Sequence, residues 1–258
     1  MVSTSQEQMK IQRMNIEERM SRIGKKIAIG SGKGGVGKSV VTSLIASYLA
    51  KQGKNVGILD LDITGPSIPM MFGTNEKPIG SSSGIMPVLT ESGIKIMSIG
   101  LLLPKNEDAV IWRGPMISNA VSQFLADIIW EELDYLLFDL PPGTSDVQLT
   151  LMQNVKLDGF LVVTSPQILA ATIVKKAVSM AKELNVRILG VVENMSYAIC
   201  PDCGTKLKVF GNGEDNKIGI PIVGTIPIDP QISKLCDEGK IEEYDIDLGG
   251  IYKLLEGL

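Results

Sequence analysis

The chain has 258 residues, 44% of them hydrophobic and only 5% aromatic, with 25 Lys and Arg against 29 Asp and Glu. A chain of that size can bury a core without a disulfide or metal staple. The net charge of −4 gives no bulk electrostatic reason to expect nucleic acid or an anionic membrane as partner. Histidine is absent and there are only three cysteines, which excludes His-based triads, His metal sites and a disulfide framework.

The first residues are polar and charged rather than basic and then apolar, and no run approaches about eighteen consecutive apolar residues. A reducing, cytoplasmic compartment is therefore expected. Residues 5–22 carry Met9, Ile11, Met14, Ile16 and Met20, followed by Ile23, among charges, which predicts a peripheral amphipathic helix set apart as segment 1–24. Lys25 to Ser31 reads as a short buried strand, and Ser39 to Lys51 has helical spacing and stops before Gly53. Asn55 to Leu61 is a second strand. Thr64 to Pro87 is rich in Gly, Pro and Ser and predicts an irregular switch and lid region.

Strand-like pieces follow at 85–90 and 94–99, then a helix over 116–129 and a buried strand over 134–140. Helix 145–154, strand 159–164, helix 168–184 and strand 186–193 alternate, and 196–218 interrupts them as a small insertion carrying Cys200-Pro201-Asp202-Cys203. A strand at 222–226 and helices near 229–238 and 249–257 complete the pattern. Strands alternating with helices of this length predict an α/β fold, a mostly parallel sheet with helices on both faces. Nothing in 25–258 reads as a linker, so that span is taken as one domain.

The strongest motif is Gly32-Lys33-Gly34-Gly35-Val36-Gly37-Lys38-Ser39, followed by Val40, placed between a predicted strand and a predicted helix. It satisfies the phosphate-binding P-loop pattern. Its glycines let successive N–H groups face an anion at a helix N-terminus. Lys38 is placed to reach β- and γ-phosphates, and Ser39 to offer a hydroxyl to Mg²⁺. Two apolar strands end in acids, Asp60 with Asp62 and then Asp139, at the sheet edge where open α/β folds bind ligands. Such acids can also be simple caps, but their convergence with a P-loop favours a nucleotide site.

Lys33, directly after the first glycine, resembles the deviant Walker A loop of the nucleotidases that include MinD, ParA and the nitrogenase iron protein. The resemblance implies that Lys33 crosses a homodimer interface to the partner's nucleotide. It also implies that Asp60 and Asp139 support Mg²⁺ and its hydration shell, and that Asp62 orients the attacking water. Asp60-Leu-Asp-Ile-Thr-Gly-Pro-Ser67, Trp112-Arg-Gly-Pro-Met116, Asp139-Leu-Pro-Pro-Gly-Thr-Ser-Asp146 and Asn194-Met-Ser196 before the CxxC resemble the Mrp/ApbC branch. Members of that branch carry and deliver iron–sulfur clusters. By resemblance Asn194, Pro227 and Asp229 contact the adenine, although all three are also ordinary strand-end residues.

Cys200 and Cys203 supply two sulfurs, and four-coordination needs a second pair that the chain lacks. Cys236, alone in its segment, reads as an inert helix cysteine. Two chains could hold one bridging 4Fe–4S cluster, as the resemblance also implies, with apo iron–sulfur proteins as clients. Zn²⁺ in the same four sulfurs and a redox dithiol are the other readings of the spacing. The competing function is a MinD- or ParA-like positioning ATPase with a zinc knuckle, but the tail from Ile241 to Leu258 is acidic and short. No membrane or nucleic acid is therefore expected as partner.

Overall fold

The computed structural model describes residues 2–63, 65–102, 114–166, 168–210 and 219–258. In chain order its elements are α1 (Val2–Ser21), β1 (Ile23–Ser31), α2 (Lys38–Lys51), β2 (Val56–Asp60), α3 (Ile68–Met71), β3 (Ile79–Ser81), β4 (Gly84–Met86), β5 (Val88–Leu89) and β6 (Lys95–Ser98). They continue with α4 (Gly114–Asp127), β7 (Leu133–Asp139), α5 (Asp146–Asn154), β8 (Gly159–Thr164), α6 (Ile168–Glu183), β9 (Ile188–Glu193), β10 (Ala198–Ile199), β11 (Lys206–Leu207), β12 (Ile222–Thr225), α7 (Pro230–Asp237) and α8 (Gly249–Glu256). The fold is the expected one, a mostly parallel sheet between helices.

Eight strands form the main sheet in the order β12-β9-β8-β1-β7-β2-β6-β5. All its neighbours pair in parallel except β5, which runs antiparallel to β6. A parallel sheet buried on both faces needs apolar residues at every strand position, and the side chains sort by the period of two. Ala28, Leu136 and Phe138 pack with Val121 and Leu125 of α4, Leu151 of α5 and Ala177 of α6. Ile27, Ile29, Tyr135 and Leu137 pack on the other side with Leu44 and Ile45 of α2, Leu235 of α7 and Ile251 of α8.

The expected apolar stripe of α1 divides. Ile16 and Met20 are buried in the layer with α4, whereas Met9, Ile11 and Met14 are more than half exposed. At about 100° per residue, Ile11 and Met14 stand over a quarter-turn away from the Ile16–Met20 line. Ile23 belongs to β1 instead of the helix.

The region expected to be irregular, 64–87, holds two ordered pieces. One is α3, with proline in its first turn. The other is the antiparallel β3–β4 hairpin, anchored by Arg19 Nη2 donating to Ser83 O at 2.7 Å and by Ile129 N–H donating to Ile85 O at 2.9 Å. Trp112 and Arg113 of the Trp112–Met116 motif, and Thr64, lie outside the described residues.

Ile16, 2% exposed, is the most deeply buried of the described α1 side chains that fix the helix to the body of the protein. Ile16→Ala should cost roughly 3 kcal/mol of unfolding free energy in urea. Met14→Ala, on the solvent side, should stay within about 0.5 kcal/mol.

Candidate functional site

The carboxyl ends of three adjacent strands build the site. In register, Ile29 of β1 lies beside Asp139 of β7, and Asp139 lies beside Asp60 of β2. Residues 32–37 then turn from β1 into α2. Gly35 and Gly37 hold φ of 79° and 75°, the left-handed region that glycine occupies without strain. Gly37 is the cap of α2 and offers no side-chain hydrogen bond, so the first amides of that helix are left for an anion. A cavity of about 190 Å³ opens over this loop, lined by residues from Gly34 to Val40 together with Ser31, Asp62, Ser67, Met71 and Pro142. A concave opening on a P-loop and a helix N-terminus fits the phosphates of a nucleotide.

Asp139 is the hub. It is fully buried, and its Oδ2 accepts from Lys38 Nζ at 2.5 Å and from Ser39 Oγ at 2.6 Å. Its Oδ1 accepts from Thr42 Oγ1 at 2.6 Å. Lys38 Nζ also lies 3.6 Å from Asp62 Oδ2, so one cation is shared between two carboxylates. Asp60, 1% exposed, accepts from the Asp62 N–H and from Ser98 Oγ, each at 3.0 Å. Burial, and then the charge of Asp139, push the Asp60 carboxyl up to about 7, against the pull of Lys38 and these hydrogen bonds. Three acids lie near one lysine, so the site is short of positive charge, and Mg²⁺ there would depend on a nucleotide's phosphates and water for most of its shell.

Lys33 is exposed, and its ammonium has no partner among the described residues. Its backbone carbonyl accepts from Ser31 Oγ at 3.0 Å, which steadies the start of the loop. Asn194, at the end of β9, touches the P-loop: its Nδ2 donates to Val36 O at 2.9 Å. Pro227 and Asp229 stand apart from the lining of the phosphate cavity. Both carboxylate oxygens of Asp229 are engaged, Oδ1 by the Gln231 N–H that it caps at the start of α7 and Oδ2 by Tyr244 OH, each at 2.8 Å. Burial and this carboxylate push the Tyr244 hydroxyl far above its ordinary value.

Cys200 and Cys203 occupy the turn between β10 and β11. Cys200 N–H donates to Thr205 O at 3.0 Å, and Gly204 N–H donates back to Cys200 O at 2.9 Å. This geometry brings the two sulfurs within hydrogen-bonding reach. Hydrogen bonding with the Thr205 hydroxyl and backbone, and then with Cys200, pulls the exposed Cys203 thiol below its ordinary value. A lowered thiol favours the thiolate, the metal-binding form. No group of three metal-ligating acids or cysteines occurs among the described residues, so each chain offers two sulfurs here.

Two positioning side chains escaped the sequence reading. Thr42 lies one helical turn after Lys38, where a hydroxyl can face the same strand end, and that spacing was the available signal. Ser98 ends the apolar run of β6 as Asp60 ends that of β2, but only the register Asp60–Ser98 reveals the pairing.

A phosphate loop after the first parallel strand, with a lysine in its second position and buried acids ending the next two strands of the sheet, defines a P-loop NTPase of the deviant Walker A type. The family model described as ParA, NUBPL iron-transfer P-loop NTPase, matches residues 22–249, and the chain belongs to that family. It is 50% identical over 230 residues to an iron-sulfur cluster carrier protein of Methanocaldococcus jannaschii, covering 87% of this chain and 79% of that one. It is 43% identical over 238 residues to the cytosolic Fe-S cluster assembly factor cfd1 of Neurospora crassa, covering 84% and 78%. A solved nucleotide-binding protein of Archaeoglobus fulgidus in complex with ADP superposes with a TM-score of 0.81 at 46% identity, covering 92% of this chain and 95% of that one.

A Cβ on Gly37 would meet Asn194 Nδ2 at 2.2 Å, in addition to the strain of its positive φ. Gly37→Ala should weaken nucleotide binding at least about tenfold by calorimetry, as strain and collision move the loop. Gly53→Ala carries the same left-handed strain with nothing within 4 Å, and should cost about 1 kcal/mol of stability while leaving nucleotide affinity unchanged.

The raised Asp60 carboxyl gives a second prediction. Its folded-state value of about 7 exceeds the ordinary 3.8, so folding favours the protonated form. That stabilisation is complete below about pH 4 and is lost as pH rises through about 7. In nucleotide-free and metal-free protein, thermal melts should show Asp60→Asn gaining on wild type across this window.

Proposed function

We propose that this protein is an ATP-hydrolysing carrier of iron–sulfur clusters, acting as a homodimer with a labile 4Fe–4S cluster as cargo between the Cys200–Cys203 pairs of two copies. The observation that carries this reading is the cysteine turn. Two converging, accessible sulfurs per chain are half of a four-sulfur site and leave the other half to a second copy. Ile199, Leu207, Val209 and Phe210 flank the turn and are 40–56% exposed, an apolar surface that a second copy would cover. The names of the relatives, carriers and assembly factors for iron–sulfur clusters, support the same cargo.

In this reading residues 32–40 cradle the phosphates, Lys38 neutralises the β- and γ-phosphates, and the free ammonium of Lys33 reaches the partner's nucleotide. Asp62 orients water for attack on the γ-phosphate. Ser39, Asp60 and Asp139 hold Mg²⁺ or its water shell, and the ion would supply charge neutralisation on the phosphates. Asn194, Pro227 and the backbone at Asp229 border the adenine. The helix Val2–Ser21 is a peripheral element on a single domain that begins with β1 at Ile23. The clients are apo iron–sulfur proteins, and the compartment is the cytoplasm, as the name of the fungal relative suggests.

A positioning ATPase that docks on membranes through a terminal helix is less well served. Ile251 and Leu255 of α8 are buried in the core, so the apolar face of the last helix is already used. No helix among the described residues is long and apolar enough to cross a membrane.

The test is anaerobic reconstitution with iron and sulfide, followed by metal analysis and sizing of wild type and Cys203→Ala. About four irons per two chains are expected in wild type. The variant should lose them and still bind nucleotide. Zinc alone, no iron, or a full cluster in the variant would overturn the cargo assignment.

A further inference from the structure

Asn194 stands between the two sites. Its backbone N–H donates to Thr164 O at 2.8 Å, which fixes the end of β9 to β8. Its buried side chain crosses to the P-loop and donates to Val36 O at 2.9 Å, in space left open because Gly37 has no Cβ. The chain then runs directly from Asn194 to Cys200.

That run has little slack. Met195 holds a left-handed φ of 56°. Ser196 N–H donates to Ile226 O at 2.9 Å, and Ser196 Oγ donates to Glu193 Oε2 at 2.5 Å. Ile228 N–H donates to Tyr197 O at 2.6 Å, and Ala198 forms an isolated bridge with Ile228. The root of the cysteine hairpin is thus fastened to the 226–228 segment on one side and, through Asn194, to the phosphate loop on the other.

The Val36 carbonyl and the Gly37 N–H belong to one planar peptide unit, so they move together and in opposite senses. An anion that draws the Gly37 N–H toward itself rotates the carbonyl that Asn194 holds. A buried amide donor that loses its acceptor is costly, so the Asn194 side chain must follow the rotation. Its own backbone is the first residue of the hairpin root.

We propose that Asn194 is the positioning residue that passes the state of the phosphate loop to the Cys200–Cys203 turn, so that nucleotide changes the exposure of the two sulfurs. The inference rests on the reading of these two sites given above, but it needs no cluster to be present. Coupling of this kind is reciprocal, so a metal on the sulfurs also changes nucleotide affinity by the same factor.

The test uses full-length, metal-free, reduced protein, dilute enough that sizing shows one oligomeric state with and without ATP and Mg²⁺. Alkylation of Cys200 and Cys203 by iodoacetamide is followed by peptide mass mapping, with Cys236 as the internal reference. In wild type, saturating nucleotide should change the alkylation rate of the pair about fivefold or more. In Asn194→Ala and Asn194→Asp, still saturated with nucleotide, the ratio should fall to near one while the rate at Cys236 stays unchanged. The aspartate variant keeps the size of the side chain but loses the donor to Val36, so it separates the hydrogen bond from simple filling.

An undiminished ratio in both variants would overturn the proposal. So would a ratio of one in wild type with nucleotide bound, or loss of nucleotide binding itself in both variants, which would make Asn194 a binding residue only. None of these outcomes depends on iron, so failure of the coupling and failure of the cargo assignment are distinguishable.

Discussion

The site is organised by one buried carboxylate. Asp139 has no access to water, and a charge in that position is tolerable only with close, oriented partners. Lys38, Ser39 and Thr42 supply them from the first turns of α2, so the same three bonds that satisfy the acid also fix where the helix begins relative to β7. The entry angle of the P-loop follows from that, because the loop must span from the end of β1 to a helix start already pinned to the neighbouring strand. The remaining acids inherit the consequence. Asp60, side by side with Asp139, has no comparable cation of its own among the described residues, and its carboxyl is pushed up to about 7 instead.

This charge arrangement ties the geometry of the site to the proposed chemistry. Lys38 is engaged by both Asp139 and Asp62. In the proposed reading a triphosphate would compete for the same ammonium, and a divalent cation beside Asp60 and Asp139 would replace the positive charge that the carboxylates give up. Nucleotide and metal would then bind more favourably together than separately. Asp62 is 13% exposed at the cavity wall, where its carboxylate meets the space over the phosphate loop.

Most of the fold was legible because parallel strands buried on both faces must be continuously apolar, as in Ile27 to Ile29 and Leu136 to Phe138. The acids that end those runs were legible as a site because chemistry breaks the pattern where the strand stops. What the sequence concealed depended on tertiary contacts. The β3–β4 hairpin has strands of only three residues, and it is held by Arg19 from a distant helix and by the backbone at Ile129. The apolar residues of α1 looked like one stripe, yet only those facing α4 are buried. Asp229 read as a ligand contact from its motif, while its side chain is committed to a helix cap and to Tyr244.

The cysteine turn obeys a different logic from the phosphate site. Its sulfurs lie on the turn between two-residue strands with exposed flanks, and the turn is held by backbone bonds between Cys200 and Thr205 and between Gly204 and Cys200. A buried, enclosed set of four ligands would retain a metal tightly, since every partner would be desolvated and fixed. An exposed pair on a hairpin that completes its site only with outside ligands binds less permanently, which suits cargo that must leave. The root of the same hairpin is nonetheless fastened to the core at Ser196, Tyr197 and Asn194. Loose at the tip and rigid at the root, it combines an accessible ligand pair with a defined position relative to the nucleotide, and a regulated carrier requires both.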